Sequence, residues 1–594
     1  MIRNRQQLCT IADDVFATAL EVIVKSGAAH SIEDCWRDTA QPGGRKPVGI
    51  PYTVTGVLVA LLVRFIIGRP YSLRGTMDTL GEFSADQLAA VGMAGQDCTA
   101  ISTVADTEYK RFHRFWSLRM QPLDPDADLP ARRMTNAEYA ARLHARSPED
   151  HVRSALADQR LTAVINDLLC GSIGAAAPTD CQGDVVVDET IINTATPDGM
   201  LGTRPERYRG ASSIARYWAR DKRGQVKQPG TPGEIKSSGF GIGATFVSRV
   251  ARRDALHAQP ALFVGMDVHA PTSGSVEGLA TALTHARRNG VDGRRGGRSG
   301  RSRRPLLTAD MGYNPKNGFA ELMLEHGFSP VVRYPKHWTV EYPSASPPGA
   351  PDGPEPGPLQ YAGAFYCPAV IKRITGHRTP STEELLAEDN FGAHDRRLQA
   401  IYPFLMGLHS RAVMAVCRFG RPALAATPPK RVKIRQVCPA ALGTVMCPHK
   451  PESMHTEVTG LPMAEPDWPA DAMACCSNSS ITVYLTDGQL KMAQWDLVPG
   501  SWEHTLYFEA ARALTEQRFS QLKSRHVAGL DSLTTGPRRT PMIKIAIALA
   551  AATVNIRAQQ NHDPKMRRTE AIDIRLRQLA ADLGHQPTPM PRRS

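Results

Sequence analysis

The amino-acid sequence predicts an α/β protein: a mixed sheet flanked by helices, with a helical N-terminal part and a large insertion ahead of a late helix. Three observations lead there. Helical periodicity dominates residues 1–150, and β-branched runs take over from about residue 184. A Pro-rich, Cys-containing stretch over 336–499 then separates those runs from a helix near 505–526. A chain of 594 residues can hold a substantial core and roughly two to four domains.

Two strongly apolar runs, VTGVLVALLVRFIIG (54–68, broken by Arg64) and IKIAIALAAATVNI (543–556), are shorter than the ~20 residues a bilayer span needs. Both are expected as buried helices, and no membrane partner is expected. The N-terminus places Asp13 and Asp14 where a signal peptide needs an apolar core, which points to a cytoplasmic protein. ADTEYKRFHRFWSLRM (105–120) mixes Lys110, Arg111, Arg114 and Arg119 with aromatics. It reads as a solvated basic helix with an aromatic core face, or as a helix whose cations meet DNA phosphates.

The strands begin with GDVVVDETII (183–192), a β-branched run suited to a buried strand. IGATFVSRV (242–250) and ALFVGMDVHA (261–270) follow. SVEGLATALTHARRNG (275–290) is an amphipathic helix closing on Gly290. An Arg/Gly-rich loop comes next, with eight arginines between 287 and 304 against one aspartate, Asp292. It reads as a solvated tether whose charge also suits a nucleic-acid backbone. RPLLTADMGYN (304–314) is a short strand ending at Asp310, NGFAELMLEHGF a helix, and SPVVRY another strand. The order is three strands, helix, strand, helix, strand. PSASPPGAPDGPEPGP (343–358) reads as a linker or exposed loop. The expected divisions are 1–150 (helical, DNA-contacting), 180–335 (sheet), 336–499 (insertion), 500–562 (late helices) and 563–594 (basic tail).

A net charge of +13 and a pI near 9.3 favour a polyanionic partner, nucleic acid or an anionic membrane surface. Eleven cysteines without an export signal are expected to be reduced thiols. Cys438, Cys447, Cys475 and Cys476, with His449 and His455 between them, are of the types that bind Zn²⁺. Their spacing is not the paired Cys-x-x-Cys pattern, and adjacent cysteines rarely ligate one ion. The expectation is structural cysteines rather than a zinc site.

Three acids stand out by position: Asp188 within the first strand, Asp310 at the end of the fourth, and Glu516 on the late helix. Strand ends beside a packing helix are where catalytic side chains converge. Carboxylates are suitable ligands for a hard ion such as Mg²⁺, with Mn²⁺ as a substitute. Two such ions roughly 3.5–4 Å apart support phosphodiester displacement. Glu189 and Asp267 are rival acids; alternation turns Glu189 to the other sheet face, and Asp267 stays open. On the late helix, RALTEQRFSQLK (512–523) places Arg512, Glu516, Phe519 and Lys523 on one stripe, a carboxylate between two cations. This is either a surface ion pair or the acidic member of a site that handles a polyanion.

Asp in VVVDET, Asp in LLTADMGYN and Glu on a late helix resemble the acidic triad of DDE transposases, which have a ribonuclease-H-like fold with this strand and helix order. Arg512, Glu516 and Lys523 are similar to the Arg-Glu-Lys part of a Tyr-Arg-Glu-Lys signature in bacterial insertion-sequence transposases. Tyr507 stands five residues before Arg512 where that signature has three, and Glu509 occupies the expected place. The resemblance covers about 184–335 and 500–560, and such enzymes commonly carry an insertion before the Glu helix.

It implies an enzyme that cuts and joins DNA at the ends of its own insertion sequence, a nuclease and strand transferase at the bacterial nucleoid. Asp188, Asp310 and Glu516 would hold two Mg²⁺ ions, and Arg512 and Lys523 would grip phosphates. Trp338 and Trp502 are candidates for stacking on an unpaired base. The implied partners are inverted-repeat ends, target DNA and a second copy of the chain. The alternatives are a non-catalytic DNA-binding descendant and a metal-dependent nuclease on the same fold. A zinc hydrolase is disfavoured because no HExxH spacing exists.

Overall fold

A computed structural model describes residues 10–39, 52–94, 105–174, 181–195, 206–221, 234–291, 304–313, 315–333, 340–348, 350–374, 390–410, 412–416, 430–455, 460–530, 532–533, 536–563 and 570–591. Trp338 and the arginine-rich loop through residue 303 lie outside them.

The N-terminal half is helical. The helices α1 (Asp13–Ser26), α2 (Ala28–Thr39), α3 (Val54–Ile66), α4 (Ala105–Met120) and α5 (Pro148–Gly171) carry most of it. Local chemistry sets their ends. Gly27 takes a positive φ of 66° between α1 and α2, a conformation cheap only without a Cβ. The Thr53 hydroxyl caps α3 by accepting the Gly56 amide, and a Ser147–Asp150 capping box with Pro148 opens α5. Arg64, charged inside the apolar α3, is buried but satisfied: its guanidinium donates to the carbonyls of Pro70 and Gly75 and to the Thr79 hydroxyl.

A seven-stranded mixed sheet follows. Its strands are β1 (Val185–Thr194), β2 (Arg216–Asp221), β3 (Ile235–Arg249), β4 (Leu262–His269), β5 (Leu306–Ala309) and β6 (Ser329–Val331), plus a short late strand named below. β1 is central. It pairs antiparallel with β3, which pairs antiparallel with β4 and β2; on its other side β1 pairs parallel with β5, and β5 with β6. α6 (Ser275–Arg288) makes the crossover from β4 to β5, and α7 (Phe319–His326) that from β5 to β6. Gly290, φ 88°, lies just past the end of α6. The expected strand and helix order is present, and β2 is an addition to it.

Each sheet face has its own cover. α6 and α7 lie on one face with Val185, Val187 and Val247. The opposite face carries Val186, Ile192, Ala244 and Phe246. On it lie α8 (Trp502–Lys523), α9 (Thr540–Gln560) and α5, whose Asn166 bonds the Met266 backbone of β4, with the other N-terminal helices packed behind. The apolar run in α9 belongs to a 21-residue helix, longer than the sequence suggests and long and apolar enough by composition to cross a bilayer. It is instead wrapped by protein. Lys544 pairs with Asp158 at 2.7 Å, and the Asn555 amide bonds both the N–H and the C=O of Phe263 on β4.

Residues 336–499 hold a second, antiparallel sheet of β7 (Gly407–Leu408), β8 (Val413–Val416), β9 (Lys430–Val437) and β10 (Ser480–Leu485). The Pro-rich stretch is not a linker: Ser344 bridges to Pro356 and to Tyr484 of β10. After α8, β11 (Ser532–Leu533) pairs parallel with the end of β1. Within the basic C-terminal segment, α10 (Ala571–Leu583) is helical, and Thr588 docks by donating its N–H and hydroxyl to Asp395.

Candidate active site

Asp188 lies midway along β1 and Asp310 directly follows β5. The parallel register pairs Val187 with Ala309, the residues just before Asp188 and Asp310, so the two acids follow paired positions on adjacent strands, and the charge of Asp310 is felt at Asp188. α8 crosses above them. Tyr507, Phe508 and Ala511 pack its first half onto Val186, Leu306 and Val331, while Phe519 packs its second half against Phe246 and Phe263, ring centroids 5.7 and 5.9 Å away. With both halves held, the stripe between them faces Asp188.

Arg512 Nη1 is 3.1 Å from Asp188 Oδ2 and Arg512 Nη2 is 3.2 Å from Glu516 Oε1, one guanidinium joining two acids. The Asp188 and Arg512 side chains are 15% and 17% exposed whereas Glu516 is 65% exposed, so the site runs from a buried floor to a solvent-facing rim. Asp310 is exposed at its strand end. Burial pushes the Asp188 carboxyl up to about 6; Arg512 and the Glu189 amide oppose that, and the charges of Asp310 and Glu516 add to it. Lys523 closes the stripe. Desolvation and Arg220 lower its ammonium pKa, and Asp188 pulls the other way. The three acids and two cations therefore share one electrostatic neighbourhood.

The rival acids face away. Glu189 accepts a hydrogen bond at 2.7 Å from Ser275, which opens α6 on the other face, and Lys316 donates to the same hydroxyl at 2.7 Å. Asp267 is in register with Thr245, itself opposite Glu189, and thus shares that face, with Oδ2 3.2 Å from where a Cβ on Gly278 would sit.

Two further residues do not reach the site. Tyr507 is 3% exposed in the apolar layer between α8 and the sheet. Trp502 is 2% exposed, donates its indole N–H to Asp395 Oδ1 at 2.8 Å and stands edge-on to His394, which leaves no face for a base. Glu509, in the place the signature gives to tyrosine, is 3.6 Å from Arg333, whose guanidinium covers the Phe508 ring.

Among the described residues, Asp188, Asp310 and Glu516 included, no three His, Cys, Asp or Glu side chains are grouped so as to hold a metal ion. At the acidic site the reason is visible: Arg512 is interposed between Asp188 and Glu516. The basic helix α4 buries Phe112, Phe115 and Trp116 and exposes Lys110, Arg111 and Arg114. Beside it a groove of about 990 Å³ runs to the segment entering α9, with Arg114, Tyr109, Arg538 and Arg539 on its walls. No family model, curated protein or solved structure matches this chain.

Proposed function

We propose that the chain is a DNA transposase of the DDE type, cutting and joining DNA at the ends of its own mobile element from a ribonuclease-H-like sheet. One observation carries the reading. The β1–β5 register brings Asp188 beside Asp310 under the helix that bears Glu516, with Arg512 and Lys523 on the same stripe.

Each residue then has a task. Asp188, Asp310 and Glu516 supply hard oxygen donors in a site that gathers acids and holds one of them at an unfavourable burial, which suits a divalent cation such as Mg²⁺ or Mn²⁺. Such ions supply Lewis-acid stabilisation of the attacking and leaving oxygens. Arg512 holds Asp188 and Glu516 before DNA arrives and turns its paired donors to phosphate when it does. Lys523 holds a second phosphate as a point charge. The basic groove beside α4 carries the flanking duplex, and two copies of the chain pair the two ends.

The test uses DNA carrying the inverted repeats that bracket the coding region, incubated with pure protein and Mg²⁺. Strand cleavage followed by joining to a target duplex is expected, both lost in Asp310→Ala and Glu516→Ala. Cleavage that survives either substitution overturns the triad. Cleavage with no joining makes the protein a nuclease, and salt-sensitive binding with no cleavage makes it a DNA-binding descendant.

A further inference from the structure

Away from the acids, the insertion gathers five buried cysteines, Cys367, Cys438, Cys447, Cys475 and Cys476. Cys367 comes from a segment far from the other four in sequence. Three of the five head Cys-Pro turns: Cys367-Pro368-Ala369-Val370, Cys438-Pro439-Ala440-Ala441 and Cys447-Pro448-His449-Lys450. These are the only three Cys-Pro pairs in the chain. Each closes on the cysteine's own carbonyl, from Val370 at 3.0 Å, Leu442 at 3.0 Å and Lys450 at 2.9 Å. Proline presets φ near −65° in the turn. Burial pushes all three thiols up, and in each turn amides that follow the proline oppose it: Ala369 for Cys367, Ala440 and Ala441 for Cys438, His449 for Cys447. Neutral thiols are weak acceptors and gain little from such donors; thiolates gain a great deal.

The turns meet in space. Cys367, Cys438 and Cys447 share one cluster with Trp502, the first residue of α8. The Cys367 amide bonds Phe404, and the Thr444 hydroxyl ties Pro403 to Pro439. The Cys438 amide bonds Ser479, which leads into β10, just after Cys476. The Trp468 indole donates to Cys476 Sγ at 3.4 Å and packs against the same cluster. Cys476 lies within electrostatic reach of all three turn cysteines, and Lys450, itself buried, within reach of Cys438, Cys447 and Cys476. Cys476 belongs to the neighbouring core cluster, bridged to this one by Trp468. Among the described residues no three His, Cys, Asp or Glu side chains are grouped so as to hold an ion, so binding would have to draw the sulfurs together.

We infer that Cys367, Cys438, Cys447 and Cys476 form a structural zinc site, a tetrathiolate centre with Lys450 and the turn amides offsetting its negative charge. Soft thiolates in a four-fold set select Zn²⁺ in tetrahedral geometry, and binding releases the thiol protons. Cys475, adjacent to Cys476, is left as a hydrogen-bonded neighbour. The centre ties the loops around the insertion's sheet together, and it braces the start of α8 through Trp502.

The site is tested on the full-length protein, purified without chelator, by metal analysis and by cobalt substitution. About one zinc per chain is expected, released when the thiols are titrated with a mercurial. The Co²⁺ form is expected to show thiolate charge-transfer bands and tetrahedral ligand-field bands. Cys367→Ser, Cys447→Ser and Cys476→Ser are expected to lose most of the metal. Cys475→Ser, and Cys170→Ser far from the cluster, are expected to keep it. Because a ligand variant can misfold, Cys447→His serves as a second arm: a zinc ligand there restores the metal, whereas a purely packing role does not. Metal-free folded protein, iron in place of zinc, or loss of zinc in Cys475→Ser with retention in Cys476→Ser overturns the assignment. DNA cleavage is not the readout, so the outcome is independent of the transposase reading.

Discussion

Burial lifts the Asp188 carboxyl to about 6 even though Arg512 and the Glu189 amide work to lower it. A carboxyl whose folded pKa lies above its unfolded value favours folding in its protonated form. That contribution is fully present below the ordinary carboxylate range and is lost as pH rises through about 6. At neutral pH the ionised acid therefore works against the fold, by on the order of 3 kcal/mol for a rise from 3.8 to about 6 at about 1.4 kcal/mol per pKa unit. Asp188→Asn is expected to unfold at higher urea than wild type at mildly alkaline pH, with the gain fading toward pH ~3. Mg²⁺ is expected to stabilise wild type at alkaline pH and to leave Asp188→Asn unmoved. A less stable variant at alkaline pH would refute the strained-carboxylate account. This acid was legible because it interrupts a β-branched run, and Glu189 was placed by strand alternation alone. Asp267 could be separated from Asp188 only by register, which no single strand reveals. Cys367 lies too far along the chain from the other four cysteines for sequence distance to group them; the repeated Cys-Pro pair is the signal that does.

At the scale of the element, α8 has two anchors with Arg512 and Glu516 between them. Phe519 lies on the same stripe as Arg512, Glu516 and Lys523, yet it turns inward onto Phe246 and Phe263. Phe519→Ala is expected to cost about 3–5 kcal/mol in denaturant unfolding. It should also reduce DNA cleavage more than DNA binding, because Glu516 loses its rest while the basic groove is untouched. Equal losses in both would show that α8 is not what positions the acid. The existence of α8 and the order of β1, β3, β4, β5 and β6 were legible from periodicity. β2 was not, since RYWARD carries charge on both faces of a short strand. β9 is legible by alternation, with Val432 and Ile434 turned inward between exposed Lys433 and Arg435. The apolar run 543–556 gave too short a length for α9, which extends over Thr540–Gln560, and its Lys544 and Asn555 are buried partners for Asp158 and β4.

Across the whole molecule, the N-terminal helices share a core with one face of the sheet, and Arg114, Arg538 and an Arg539 paired with Asp124 line the groove between α4 and the entry to α9. Arg114 and Arg538 are exposed on its walls, so reversing both leaves the core intact. Arg114→Glu with Arg538→Glu is expected to weaken duplex binding at least about tenfold at low salt. The slope of log affinity against log salt should fall by about two. Unchanged affinity would place the DNA elsewhere. The central claim is that acids from β1, the end of β5 and α8 serve one metal site. Its most direct test replaces Mg²⁺ with Fe²⁺ and generates hydroxyl radicals, which cut backbone adjacent to the bound ion. Cuts beside Asp188, Asp310 and Glu516 together, suppressed by excess Mg²⁺ and absent from Asp188→Asn, are the predicted result; cutting confined to one of the three segments, or to none, would contradict it.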